Sequence, residues 1–199
     1  MNSVDIWLDP ICPWAWLTSR WLVEVERLGE VKVAFRVMSL SYLNRDQEIS
    51  DDYRAFLANG WKPVRTLTAA RMRFGPESVR PLYEAMGTRI HPGARGLEFI
   101  DEIIAESLAD TNLPADLADV GEEVDEELMR EHHAGMDQVG TDVGTPVISS
   151  GGVAFFGPVI TPAPMGEAAL QLWRGVMLVA GTPGFYEIKR SRDKGPEFS

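Results

Sequence analysis

The residue whose type and setting could do chemistry is Cys12, the only cysteine among 199 residues. It opens the run Cys12-Pro13-Trp14-Ala15, directly after Asp9-Pro10-Ile11. A cysteine at the first turn of a helix faces unpaired backbone N–H groups and the positive end of the helix dipole, both of which favour thiolate over thiol. The expectation is a reactive nucleophile with a pKa below the roughly 8.5 of a free thiol. The spacing is that of a two-cysteine redox pair whose second position, Ala15, carries only a methyl group. An adduct formed on Cys12 therefore has no neighbouring thiol to resolve it and must wait for one from outside. A second feature lies far along the chain, where Gly144-Thr145-Pro146 precedes an apolar run and forms a candidate cis-proline turn.

The elements that position these residues are legible in the hydrophobic pattern. Val4 to Leu8 reads as a buried strand ended by a loop. From Trp14 to Leu28 apolar residues recur at helical spacing, and Gly29 ends the pattern. Val31 to Leu40 alternates with period two and predicts a strand. Between about residues 44 and 140 no strand pattern appears. Helices are predicted there at 51–59, 63–74, 79–88, 96–110, 114–118 and 123–139. Thr145 to Ser149 and Val153 to Phe156, joined by Ser150-Gly151-Gly152, read as a β-hairpin. Gly166 to Ala180 then forms a last amphipathic helix, and the tail from Pro183 is expected to be extended and packed by Phe185 and Tyr186. The order β-α-β, helices, β-β-α, with the cysteine opening the first helix and Thr-Pro opening the third strand, is an α/β chain with a thioredoxin-like fold and a large all-helical insertion. The expected division is a thioredoxin-like part at 1–43 and 141–199 and a helical insertion at 44–140.

Composition narrows the partners. Hydrophobic residues at 45% and charged ones at 25% argue against disorder, and no apolar run reaches the roughly 18 residues of a membrane span. The start of the chain lacks the basic residues of a signal peptide, and a lone cysteine suits a reducing compartment, so a cytoplasmic protein is expected. A net charge of -11 repels phosphate backbones and argues against nucleic acid. The one basic cluster, Lys189, Arg190, Arg192 and Lys194, reads as a solvated end. No nucleotide-binding glycine motif appears. His132 and His133 are adjacent on a helix and point about 100° apart, so they do not face one metal, and no metal site is expected. The pairs Glu122-Glu123 and Glu126-Glu127 read as a solvated helix face. His91, in Ile90-His91-Pro92-Gly93, is a candidate lining residue of the cleft, and Trp14 a candidate aromatic wall for a flat substrate.

The chain resembles the mycothiol-dependent nitroreductases and DsbA-like oxidoreductases of actinobacteria, through DPICPWAWLTSRW at 9–21, VMSLSYLN at 37–44, GTRIHPG at 87–93, HHAGMDQVGTDVGTP at 132–146 and GVAFFGPV at 152–159. The usual family motif is Cys-Pro-Trp-Cys, and Ala15 departs from it. The resemblance implies a thiol oxidoreductase with Cys12 as nucleophile, Pro13, Trp14 and Ala15 completing its motif, and Thr145 and Pro146 beside it. It also implies that Trp14, Asn44 and Tyr53 lie near the site, that mycothiol or another low-molecular-weight thiol is the reductant, and that disulfides or small nitro-aromatic molecules are substrates. A homodimer stays open. Two other readings remain: an enzyme resembling kappa-class glutathione transferases that binds a thiol cofactor without turning Cys12 over, and a non-catalytic module that senses a thiol adduct.

Overall fold

The computed structural model describes residues 2–198; Met1 and Ser199, at the two ends of the expected thioredoxin-like part, lie outside the described residues. Strand β1 (Asn2–Leu8) leads through a short loop into helix α1 (Pro13–Arg27), and Gly29 turns the chain at a φ of 83° into β2 (Val31–Val37). A left-handed turn of this kind favours glycine, which lacks a Cβ to clash. Six helices then alternate with short 3-10 turns, beginning with α2 (Leu40–Leu43), α3 (Asp51–Ala58) and α4 (Trp61–Phe74). They end with α5 (Val79–Ile90), α6 (Ile100–Asp110) and α7 (Asp125–Met136), before β3 (Val147–Ser150), β4 (Val153–Phe156) and α8 (Gly166–Ala180). Counting α1 and α8, the described residues form eight α-helices.

The sheet order is β2-β1-β3-β4, with β1 parallel to β2 and both remaining pairs antiparallel. Parallel pairing needs a crossover, which α1 supplies. Val4, Ile6 and Leu8 of β1 and Val31 and Val37 of β2 are essentially inaccessible, and they join one apolar core with Leu67 of α4, Leu82 of α5 and Ile103 of α6. Each such side chain contributes about 1.5–3 kcal/mol by leaving water. Trp21 of α1 packs against Trp173 of α8 and donates Nε1–H to the Ala169 carbonyl, fastening the last helix to the first. On the other face Trp7 donates to the Glu131 carbonyl, and a Cβ at Gly135 would lie 2.5 Å from the Trp7 ring, so only glycine lets α7 approach this closely.

The second strand is shorter than the period-two pattern predicts. It stops at Val37 because Ser39 takes over as the N-cap of α2, its Oγ accepting from the Tyr42 N–H at 3.1 Å. The tail also differs from expectation. Phe185 is half-buried but Tyr186 is 94% exposed, and the residue that packs is Phe198. Of the two acidic pairs, Glu122-Glu123 lies in a 3-10 turn before α7, and Glu126-Glu127, in α7, is not uniformly solvated, since Glu127 is held between Arg71 and Arg130.

Candidate functional site

Cys12 is the N-cap of α1, and its Sγ accepts from the Ala15 N–H at 3.4 Å. The Thr145–Pro146 peptide is cis, and the Thr145 carbonyl lies 3.7 Å from Sγ, placed to accept the S–H. Residues 133 positions apart thus meet at the end of the sheet. Thr145 is buried, its hydroxyl donating to the Trp7 carbonyl at 2.9 Å, so its backbone faces the thiol and not an open groove. Ala15 is fully buried beneath the thiol, while Pro13 and Trp14 are half-exposed.

The thiol is not activated in this arrangement. Cys12 is 7% exposed, and burial pushes its pKa up to about 12. The Ala15 N–H lowers it and the nearby Asp9 charge raises it further. The expectation of a depressed pKa is therefore corrected: the helix terminus does act on Sγ, but the cost of leaving an ionised sulfur out of water outweighs it. Asp9 is fully buried as well. Its carboxylate accepts from the Ile11 N–H at 3.0 Å and the Leu40 N–H at 2.7 Å, and no cation pairs with it among the described residues. Burial raises it to about 7 against those two hydrogen bonds. Asp9 thus ties the cysteine loop to the start of α2, a role the sequence signalled only as an acid before a proline.

Helices between β2 and β3 hold the same loop from the other side. His91 is buried, its Nε2 lying 2.9 Å from the Pro10 carbonyl, to which it donates as the neutral ring; burial lowers its pKa to about 4. It therefore positions the loop and is not an open ligand of the cleft. Its ring packs 5.7 Å from Trp16, whose own ring lies where a Cβ at Gly87 would come within 2.4 Å. Ile11 packs at Gly60 in the same way. Tyr53, on α3, is 37% exposed and stacked on Phe56; its hydroxyl feels the charges of Cys12 and Asp9, which add to burial in raising its pKa. Asn44 is the C-cap of α2, its Nδ2 donating to the Leu40 carbonyl at 2.8 Å. His132 accepts from the Ser39 N–H through Nδ1, and His133 pairs with Tyr42 and Asp137. Among the described residues no group of His, Cys, Asp and Glu could hold a metal. Arg192 is not free in solvent, for its guanidinium lies 5.2 Å from the centre of the Trp14 ring.

A parallel pair with an antiparallel hairpin beside it, a cysteine capping the first helix and a cis-proline facing the sulfur define a DsbA-like thiol oxidoreductase of thioredoxin fold. Residues 11–190 match the family described as Rv2466c-like, mycothiol-dependent nitroreductase Rv2466c, and the chain belongs to that family. It is 28% identical over 194 residues to an uncharacterized protein, Rv2286c, of Mycobacterium tuberculosis, with 96% of this chain and 83% of that one covered. Among solved structures it resembles a probable DsbA oxidoreductase from Streptomyces coelicolor, with a TM-score of 0.57, 15% identity, and 99% and 97% of the two chains covered. It also resembles the cytosolic disulfide reductase DsbM from Pseudomonas aeruginosa, with a TM-score of 0.51, 14% identity, and 88% and 99% covered. At these identities the two structures speak for the fold alone. No helix among the described residues is long and apolar enough to cross a membrane.

Proposed function

We propose that the chain is a cytoplasmic monothiol oxidoreductase in which Cys12 works with mycothiol or a similar small thiol, acting on disulfides or small reducible molecules of the nitro-aromatic type. The observation that carries this is the pairing of a single free cysteine, capping a helix and facing a cis-proline, with a buried methyl group where a resolving thiol would stand. One thiol supplies half of a two-electron reduction, so the donor set fits a small thiol as the other half. Such a thiol, when bound, supplies the second sulfhydryl, and with Cys12 the pair delivers two electrons and two protons as a disulfide forms.

What the chain contributes follows from its own groups. Cys12 must first lose its proton, which burial opposes in the covered site. Once the sulfur is hydrated, the Ala15 N–H remains to hold the thiolate. On a disulfide the thiolate attacks one sulfur, forms the Cys12 mixed disulfide and expels the other sulfur as a thiolate, which takes up the proton. Trp14 offers a half-exposed aromatic face beside Cys12 for a flat substrate, with Tyr53 lending a hydroxyl near the sulfur. Asn44, which the resemblance puts near the site, caps the C-terminal end of α2 and is proposed only as an outer neighbour of this site. Residues 1–43 and 141–199 would form the catalytic unit, with 44–140 as the insertion that braces its loop. Neither nucleotide nor nucleic acid has a place in this reading, and a homodimer is compatible with it.

The test is turnover of a chromogenic disulfide and of a nitro-aromatic compound with mycothiol and, separately, glutathione. The rate is expected to rise in proportion to the small thiol and to vanish in Cys12→Ser. Unchanged turnover in Cys12→Ser would overturn the reading. One observation favours a second version, in which the small thiol binds without Cys12 turning over: the sulfur is buried, and burial disfavours the thiolate. Protein alkylated at Cys12 would then keep both its affinity for the thiol and its activity.

A further inference from the structure

The chain beyond α8 runs back to the cysteine end of the molecule and fastens there at three places. The Arg192 guanidinium lies on the Trp14 ring, at 5.2 Å. The Glu197 N–H donates to the Thr161 hydroxyl at 2.8 Å, and that hydroxyl is 3.4 Å from the Gly195 carbonyl, to which it donates. The Phe198 ring sits 5.5 Å from the His91 ring, half-buried against the core. These anchors bracket Cys12. Trp14 follows it by two residues, and His91 holds the carbonyl of Pro10, two residues before it. The loop bearing Thr161 is itself tied to α1, since Thr18 donates to the Pro158 carbonyl at 2.7 Å.

We propose that residues 186–198 are a strap that occupies the Trp14 and His91 faces and keeps Cys12 covered until a substrate displaces it. The strap is built to open cheaply. Residues 186–195 are exposed throughout, and its hold consists of one cation–π contact, one ring contact and a few exposed hydrogen bonds. Segments of that kind open locally without unfolding the core. The occupant is also chemically apt: a planar cation covers the Trp14 face that the proposed function offers to a flat substrate, so substrate and strap compete for one place. The fastening residues 192–198 lie beyond the family match, which ends at 190. The inference rests on the proposed function only in taking the Cys12 sulfur as the group being guarded.

The experiment reads accessibility, not turnover. The second-order rate of Cys12 alkylation by iodoacetamide is measured at pH 8 for the full chain, for a chain ending at Arg190, and for the Arg192→Ala/Phe198→Ala double variant. Because the rate scales with the fraction of open molecules, both variants should react about tenfold faster or more. The circular dichroism and melting curves of the double variant should stay cooperative. Should the truncated chain fail to fold, the double variant decides alone. Rates equal to that of the full chain would overturn the strap. Faster alkylation in variants that turn over no substrate would keep the strap and sink the redox reading, so the two failures are distinguishable.

Discussion

The cysteine end of the sheet and the helical block between β2 and β3 bury polar groups in opposite ways. In the helical block, cations accompany the carboxylates. Arg65 grips Asp125 with two hydrogen bonds, Arg89 reaches Glu106 and Asp110, and Arg71 stands between Glu127 and the buried Glu131. At the cysteine end, Asp9 has only two backbone amides, His91 is neutral, and the thiol is bonded to one amide and one carbonyl. Burial raises the pKa of both Asp9 and Glu131, but Arg71 and Arg36 oppose it at Glu131 while nothing cationic opposes it at Asp9. The lesson is that burial without counter-ions disfavours charge at the reactive end, so its reactivity is governed by whether water reaches it.

The largest expected effect sharpens the cysteine side of this contrast. A mixed disulfide loaded on Cys12 should persist without external thiol, whereas Ala15→Cys places a second sulfur one helical turn away, on the same face. An intramolecular thiol acts at an effective concentration of about millimolar or more. Release of a chromogenic adduct, followed after removal of excess reagent, should be negligible in the original chain and fast in Ala15→Cys. Thiol-independent release from the original chain would reveal another nucleophile.

The next effect tests the helical side. Arg71→Met leaves the Glu131 carboxylate buried without its partner, which should cost about 3–5 kcal/mol in urea unfolding. Lys62→Ala removes an exposed pair with Asp101 and should cost less than about 1 kcal/mol. Equal costs would mean that the Glu131 carboxyl already folds protonated and needs no cation.

The last effect is a slope, spread over several pH units. Because Asp9 titrates near 7 when folded and near 3.8 when unfolded, the folded state holds a proton that the unfolded state has released between those values. Its contribution to stability is complete below about pH 4 and is lost as pH rises through about 7. His91 and His132, lowered to about 4, act in the other sense, with stability present above 6.5 and lost as pH falls through about 4. Asp9→Asn should therefore gain on the original chain as pH rises from 4 to 7, by at most about 1.4 kcal/mol per pH unit. A gain with falling pH would show Asp9 to be charged in the folded protein.

Much of this molecule could be read before its structure. Apolar runs bounded by turn residues announced β1 and both strands of the hairpin, and helical spacing announced α1 and α8, because burial on one face of a helix repeats with its geometry. Cys12 and Pro146 were visible as chemistry because a helix start and an X-Pro turn are local events. Position 44 illustrates the limit. Asn44 was marked by resemblance alone, and only the fold shows that it caps a four-residue helix that the strand-like pattern of residues 31–40 concealed.

Three things were decided only by tertiary structure. The ionisation of Cys12 depends on a balance between a helix terminus, a local feature, and burial, which needs every neighbour in place; burial wins. The role of His91 depends on a carbonyl 81 residues away, and that of Arg192 on an aromatic ring at the opposite end of the chain. A basic tail in a sequence reads as solvated because nothing local says where it lies. Local chemistry is written in residue type and spacing, whereas proximity between distant segments comes from the packing of the whole core, and that is where the cover over this cysteine was determined.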